Sequence, residues 1–136
     1  MSVSTYLFFN GNAAEAMRFY AEALGGKLSI RTYSDSPDGP PPGVDPDAVM
    51  HARMELPGGE VIMASDDMSG APYRGMNGFA VSLNLPSAEE AHRVFSLLAE
   101  GGEVWMAIGK TFWSEAFGMT ADRFGTPWMV SVEPES

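Results

Sequence analysis

The feature that most constrains this chain is an internal duplication. Asn12-Ala13-Ala14-Glu15-Ala16-Met17-Arg18-Phe19-Tyr20 returns 75 residues later as Ser87-Ala88-Glu89-Glu90-Ala91-His92-Arg93-Val94-Phe95, with Ala13, Glu15, Ala16 and Arg18 matched by identical residues. Gly25-Gly26 returns as Gly101-Gly102 at an offset of 76. Further on, Gly59–Ser65 superposes on Gly125–Ser131, which sets Met63 opposite Met129. A unit of this length present twice is a duplicated half-domain, because solenoids stack three or more short repeats. Two such units facing each other can build a cavity on their symmetry axis.

Each copy reads as β-α-β-β-β. Val3–Phe9 is rich in β-branched and aromatic residues, as strands are. Asn12 reads as a helix N-cap with Glu15 at the third helical position, a capping-box pair. Apolar residues at 13, 16, 17, 20 and 24 form one helical face, and Gly25 ends the helix. Leu28–Tyr33, Val49–Leu56 and Val61–Ser65 are strands, the last two joined by the turn Pro57-Gly58-Gly59. The second copy repeats this order: strand Phe79–Leu83, a helix capped by Ser87 with Ala88, Ala91, Phe95 and Leu98 buried, then strands at Val104–Ile108, around Trp113–Phe117 and at Trp128–Val132. The expected organisation is one α+β domain: module one at 1–66, a linker at 67–77 and module two at 78–136.

Composition sets limits. The net charge of −10, from 18 acidic and 8 basic residues, argues against nucleic acid, whose binding needs Lys and Arg to neutralise phosphates. No run approaches the roughly 18 apolar residues of a membrane span, and no signal peptide is visible. There is no cysteine, which excludes disulfides and thiolate chemistry and fits the cytoplasm. Ser34–Ala48 carries five prolines and four aspartates and reads as a long irregular loop, either an insertion or a lid. The second long loop, Asp66–Asn77, would let a module pair with another chain, so a homodimer is expected, with exchanged modules as one arrangement.

The chain also resembles a known family. Two β-α-β-β-β modules are similar to the vicinal-oxygen-chelate superfamily, which includes glyoxalase I, extradiol dioxygenases and bleomycin-resistance proteins. The closer resemblance is to its PhnB-like group, labelled 3-demethylubiquinone methyltransferase-like. It rests on Tyr6-Leu7-Phe8-Phe9-Asn10-Gly11-Asn12, Phe19-Tyr20, Gly59-Glu60-Val61-Ile62-Met63-Ala64-Ser65-Asp66, and Thr111-Phe112-Trp113, Phe117-Gly118-Met119, Asp122-Arg123-Phe124-Gly125 and Trp128. The resemblance implies a curved, partly open sheet around a cavity, with helices outside. The methyltransferase label gains no support from the residues, since no Gly-rich strand-to-helix turn followed by an acidic residue is present to cradle a nucleotide-type cofactor. No cofactor is expected.

Metal-dependent relatives place four His, Glu or Gln ligands on the first and last strands of the two modules. The resemblance carries those positions to Thr5, Met63, Phe79 and Met129, none of which is a usual ligand for a divalent cation. No metal is therefore expected. With Thr5 and Phe79 facing inward, alternation adds Leu7, Phe9 and Val81. Met63, Met129, Ser65 and Trp113 complete an expected small-molecule site, mostly apolar with sparse hydroxyls.

Two residues are candidate acids or bases. His51 lies on a strand where His51, Arg53 and Glu55 share one face, and Met50, Ala52, Met54 and Leu56 share the other. That polar face reads as a solvated rim or as a His–carboxylate pair suited to acid–base work. Glu115 reads as a pocket carboxylate or as a surface residue paired with Lys110 or Arg123. His92 reads as packing at the helix–sheet edge. The resulting expectation is a metal-free binding protein for a small, largely apolar molecule. The alternative is a lyase- or isomerase-type enzyme using His51 or Glu115, with or without a divalent metal.

Overall fold

The computed structural model describes residues 1–133. The backbone follows the duplicated pattern. The first half holds β1 (Thr5–Phe9), α1 (Ala13–Leu24), β2 (Lys27–Thr32), β3 (Val49–Glu55) and β4 (Val61–Asp66). The second holds β5 (Val81–Leu85), α2 (Ala88–Ala99), β6 (Glu103–Gly109), β7 (Phe117–Ala121) and β8 (Pro127–Val132). The chain separates into two compact units, Met1–Gly75 and Met76 onward. Among the described residues, no helix is long and apolar enough to cross a membrane.

Each unit is one four-stranded sheet with one helix on it. The orders are β1-β4-β3-β2 and β5-β8-β7-β6, so the first and last strands of each unit pair in parallel and the remaining pairs are antiparallel. One face of each sheet is sealed by its helix. In the first unit that core holds Leu7, Phe9, Ala52, Met54, Ile62 and Ala64 from the sheet, against Ala13, Ala16, Met17, Tyr20 and Ala23 of α1. In the second, Trp128, Val130 and Val81 meet Ala91, Val94, Phe95 and Leu98 of α2. Because side chains alternate along a strand, the opposite face of each sheet is left without a helix.

Three expectations about elements are corrected. The seventh strand runs over Phe117–Ala121, and Thr111–Ala116 ahead of it is a loop. Ser114 holds that loop: its amide donates to Thr111 Oγ1 at 3.1 Å, and its hydroxyl donates to the Ala116 carbonyl at 2.8 Å. Gly118 weakens the strand signal but is required, since a Cβ there would lie 2.8 Å from the Phe95 ring. The fifth strand begins at Val81, so Phe79 precedes it. The third correction concerns capping. Asn12 makes no side-chain cap bond; instead Asp66, at the end of β4, accepts the amide of Ala13 at 2.9 Å. Ser87 does cap α2, accepting from the Glu90 amide at 3.2 Å.

The proline-rich loop is tied at its base. The Tyr33 amide donates to the Ala48 carbonyl at 3.1 Å and the Ser34 amide to the Pro46 carbonyl at 2.9 Å. Its first residues are regular after all, forming a 3-10 turn over Tyr33–Asp35. The Thr32 amide donates to Asp35 there at 2.9 Å, a local bond that needs no help from the prolines.

Candidate functional site

The uncovered face of the first sheet is fixed by register. Tyr6 pairs with Met63, Met63 with Arg53 and Arg53 with Ser29, so these four form one row across the sheet. The next row holds Phe8, Ser65, His51 and Arg31: Phe8 pairs with Ser65, and Arg31 with His51. Leu7 and Phe9 lie on the other face, 1% and 0% exposed in the core under α1. The expected grouping of Thr5, Leu7 and Phe9 with Met63 is therefore corrected, because Thr5 pairs with Ile62 on the helix side. A slip of one residue moves a whole strand's side chains to the opposite face. Tyr6 and Phe8, 38% and 53% exposed, take the places given to Thr5, Leu7 and Phe9.

These residues touch. The Tyr6 and Phe8 ring centroids are 5.0 Å apart, and those of Tyr6 and His51 are 5.9 Å apart. The Tyr6 hydroxyl lies 3.4 Å from His51 Nδ1, a long contact whose donor depends on the imidazole tautomer. Arg53 and Glu55 form an ion pair at 3.7 Å on the same face, as the alternation of that strand requires. Backbone support for Phe8 comes from the segment after β4. The Tyr73 hydroxyl donates to the Phe8 carbonyl at 2.8 Å, and the Asp67 amide donates to the Phe9 carbonyl at 2.7 Å. Burial, reinforced by the Asp67 charge, raises the Tyr73 phenol above its ordinary pKa, which keeps it a donor. Asp67 itself is pulled below the usual carboxylate range by hydrogen bonds from the Ser69 amide and hydroxyl.

The second sheet presents a different uncovered face. Met106 pairs with Met119, Met119 with Met129 and Met129 with Ser82, a row of three thioethers ending in a hydroxyl. Phe117, Ser131 and Asn84 follow in the next row. Trp113 stands over that row, edge-on to Phe117 at 5.5 Å between centroids, and Phe112 packs edge-on to Trp113 at 4.8 Å. Trp113 and Glu115 are on the loop before β7, not on the strand expected around Trp113–Phe117. Glu115 is exposed. Val81 lies in the core opposite Trp128, and Phe79 is exposed ahead of β5. His92 is exposed on α2, not packed at the sheet edge. Ser114 and Ser131, whose hydroxyls are 3.2 Å apart, tie the loop to the last strand.

The donors on these faces do not suit a hard divalent cation. Of the four positions that the resemblance assigns to metal ligands, Met63 shares its row with Tyr6 and Met129 shares its row with Ser82, while Thr5 and Phe79 lie outside these rows. A phenol, a hydroxyl and thioethers replace carboxylate and imidazole. Among the described residues, no group of three or more His, Asp or Glu side chains converges anywhere. The start of α1 is likewise committed. An anion-binding helix N-terminus needs free amides, and the first amide of α1 is bonded to Asp66, whose second oxygen accepts the Val49 amide at 2.8 Å.

Residues 1–131 match the family model described as 3-demethylubiquinone-9 3-methyltransferase. Protein YjdN of Escherichia coli K12 is 36% identical over 143 residues, covering 97% of this chain and 95% of its own. Protein PA1353 of Pseudomonas aeruginosa has the same structure with a TM-score of 0.91 at 45% identity, covering 99% of both chains. The PhnB protein of Bacillus cereus follows with a TM-score of 0.81 at 27% identity, over 98% of this chain and 100% of that one. A glyoxylase/bleomycin resistance protein/dioxygenase domain of Frankia shares the fold, with a TM-score of 0.68 at 16% identity over 98% of each chain.

Proposed function

We propose that this chain, which belongs to the 3-demethylubiquinone-9 3-methyltransferase family and has the glyoxalase and bleomycin-resistance fold, binds a small, largely apolar molecule without a metal. The observation that carries this reading is the content of the sheet faces that no helix covers. Tyr6, Phe8 and Met63 occupy one, and Met106, Met119, Met129 and Phe117 the other, with Trp113 and a few hydroxyls beside them. Large apolar side chains with sparse polar groups make up ligand sites, and thioethers adapt to varied shapes. Each sheet has a sealed core on its other side, and Met63, Met106, Met119 and Met129 keep part of their surface exposed, although Phe117 is buried.

Native mass spectrometry of protein purified without chelators tests the reading. An organic adduct that solvent extraction removes is the expected result. Protein that carries no adduct and takes up none of a panel of aromatic compounds would overturn it, and one tightly held metal ion per chain would overturn its metal-free part. The net charge of −10 argues against nucleic acid as a partner. The cytoplasm is the location we assign, with which a chain that has no cysteine is compatible. A second copy of the chain is the macromolecular partner we assign, on the exposed apolar residues of β6.

One contact favours a second reading, an enzyme of lyase or isomerase type. Tyr6 and His51 approach on an uncovered face, and a hydroxyl beside an imidazole is the pairing general acid–base chemistry uses. Any such turnover should disappear in His51→Ala. Unchanged turnover in that variant excludes His51, and the same comparison with Glu115→Gln decides Glu115.

A further inference from the structure

The two uncovered faces have diverged in charge, and the divergence identifies a ligand class. We propose that the uncovered face of the first unit selects an anionic aromatic molecule, its acid group held by Arg31 beside His51 and its ring lying over Met63 toward Tyr6 and Phe8. The inference rests on the small-molecule binding reading above and adds the charge of the ligand to it.

The argument begins from the duplication. The strands of the two units correspond at an offset of 76 for β1 and β2 and of 66 for β3 and β4. His51 and Arg53 therefore correspond to Phe117 and Met119, and Tyr6 and Phe8 to Ser82 and Asn84. One scaffold carries an aromatic and cationic set on one copy and a thioether set on the other, so the fold itself does not demand the cations. Lys27, Arg31 and Arg53 are three of the chain's 8 Lys and Arg residues, and all three sit on this one face of a protein whose net charge is −10. A general electrostatic attraction cannot draw an anion to such a chain. Only local placement can.

The cations differ in availability. Arg53 is paired with Glu55, and Lys27 is opposite that same Glu55 across the strands. Arg31 has no ion pair among the described residues, and its cross-strand partner is His51. A guanidinium beside an imidazole is a fitting seat for a carboxylate, which guanidinium binds through two parallel bonds. Strands lie about 4.8 Å apart, so the span from β2 to β1 is roughly 14 Å. The length of an arginine side chain is only part of that distance, which leaves room for one aromatic acid ending on the Tyr6–Phe8 pair.

Binding of 2-naphthoate and of its neutral counterpart 2-naphthamide, measured by calorimetry at low salt, tests the proposal. Wild-type protein is expected to bind the acid about tenfold or more tightly than the amide, as a charge-assisted bond requires. Arg31→Gln should abolish that preference and leave amide binding unchanged, while Lys27→Gln, two rows away, should keep it. Phe8→Ala should weaken both compounds. Equal affinities for acid and amide would overturn the charge selection and leave apolar binding intact. So would a preference that survives Arg31→Gln or falls equally in Lys27→Gln. Failure of both compounds to bind would overturn this inference and count against the binding function on which it rests.

Discussion

Asp66 and Asp122 are the buried carboxylates among the described residues, and both serve the backbone. Asp122 accepts the amides of Phe124 and Thr126 at 2.9 and 3.1 Å and the Trp128 indole N–H at 2.8 Å, which shapes the turn into β8. Asp66 bridges the first turn of α1 and the start of β3. Replacing it with Asn leaves one acceptor for two amides and turns an NH₂ group toward a buried donor. A buried group left unpaired costs about 1–3 kcal/mol, and Asp66→Asn should lose about that much in urea unfolding. Asn12 makes no cap bond, so Asn12→Ala should stay within about 0.5 kcal/mol of wild type. An Asn12→Ala loss equal to that of Asp66→Asn would reverse the assignment of the cap. No local pattern around residue 12 reveals this arrangement, because the capping oxygen comes from 53 positions away along the chain.

At the scale of elements, each helix is followed by a glycine pair whose members have different tasks, directly in α1 and after Glu100 in α2. Gly25 and Gly101 adopt φ of 71° and 75°, the left-handed conformation that turns the chain back toward the sheet. Gly26 and Gly102 are close approaches. A Cβ on Gly26 would meet the Met54 side chain, with Cγ at 2.6 Å and Sδ at 2.8 Å, so the buried thioether would have to shift. A Cβ on Gly102 would run into the Ala121 carbonyl and the Asp122 backbone, which cannot. Gly102→Ala should therefore lose about 1–3 kcal/mol or more, and Gly26→Ala less than that, because a side chain yields where backbone does not and a stiffer unfolded chain offsets part of the crowding. Thermal unfolding of the pair measures the difference. The first turn of α2 carries a second test. Glu90 accepts two bonds from Arg93, which hold its carboxyl below the usual range, and the Arg93 guanidinium is raised in turn. A depressed carboxylate contributes stability above its unfolded pKa, and that contribution disappears as pH falls through the folded value. Arg93→Gln should thus unfold slightly earlier than wild type at neutral pH, and the two melting temperatures should converge in acid below Glu90's titration. A gap that persists at low pH would place the effect of Arg93 elsewhere, in packing or helix propensity. The exposed setting of this pair keeps the effect small.

At the scale of the whole molecule, the duplication made the order of elements legible, since hydrophobic periods and glycine stops recur in both copies. It also held information that local patterns lacked. Extending the Met63–Met129 offset upstream places β7 at its true position through Phe117–Ala121, although Gly118 and Thr120 make a weak strand. Facing was harder to read than existence, because β1 is apolar at Leu7 and Phe9 and also at Tyr6 and Phe8, so alternation has no polar side to anchor it. The sheet edges show how far the copies have diverged. β2 carries Lys27 and Arg31, charges that discourage pairing with another chain. β6 has no basic residue and is bent instead: its register against β7 shifts between Val104 and Met106 and again between Met106 and Gly109, which makes Trp105 an extra residue on a bulge. Bulges protect an edge from strand addition, but they leave Val104, Trp105 and Met106 about half exposed together. A cluster of large apolar side chains on an edge fits contact through side chains with a second copy. Sedimentation should then show a dimer of wild-type protein, and Trp105→Lys should shift it to monomer with its far-UV circular dichroism unchanged. The assignment fails if the wild-type chain sediments as a monomer at every concentration, or if the lysine variant dimerises as strongly as wild type.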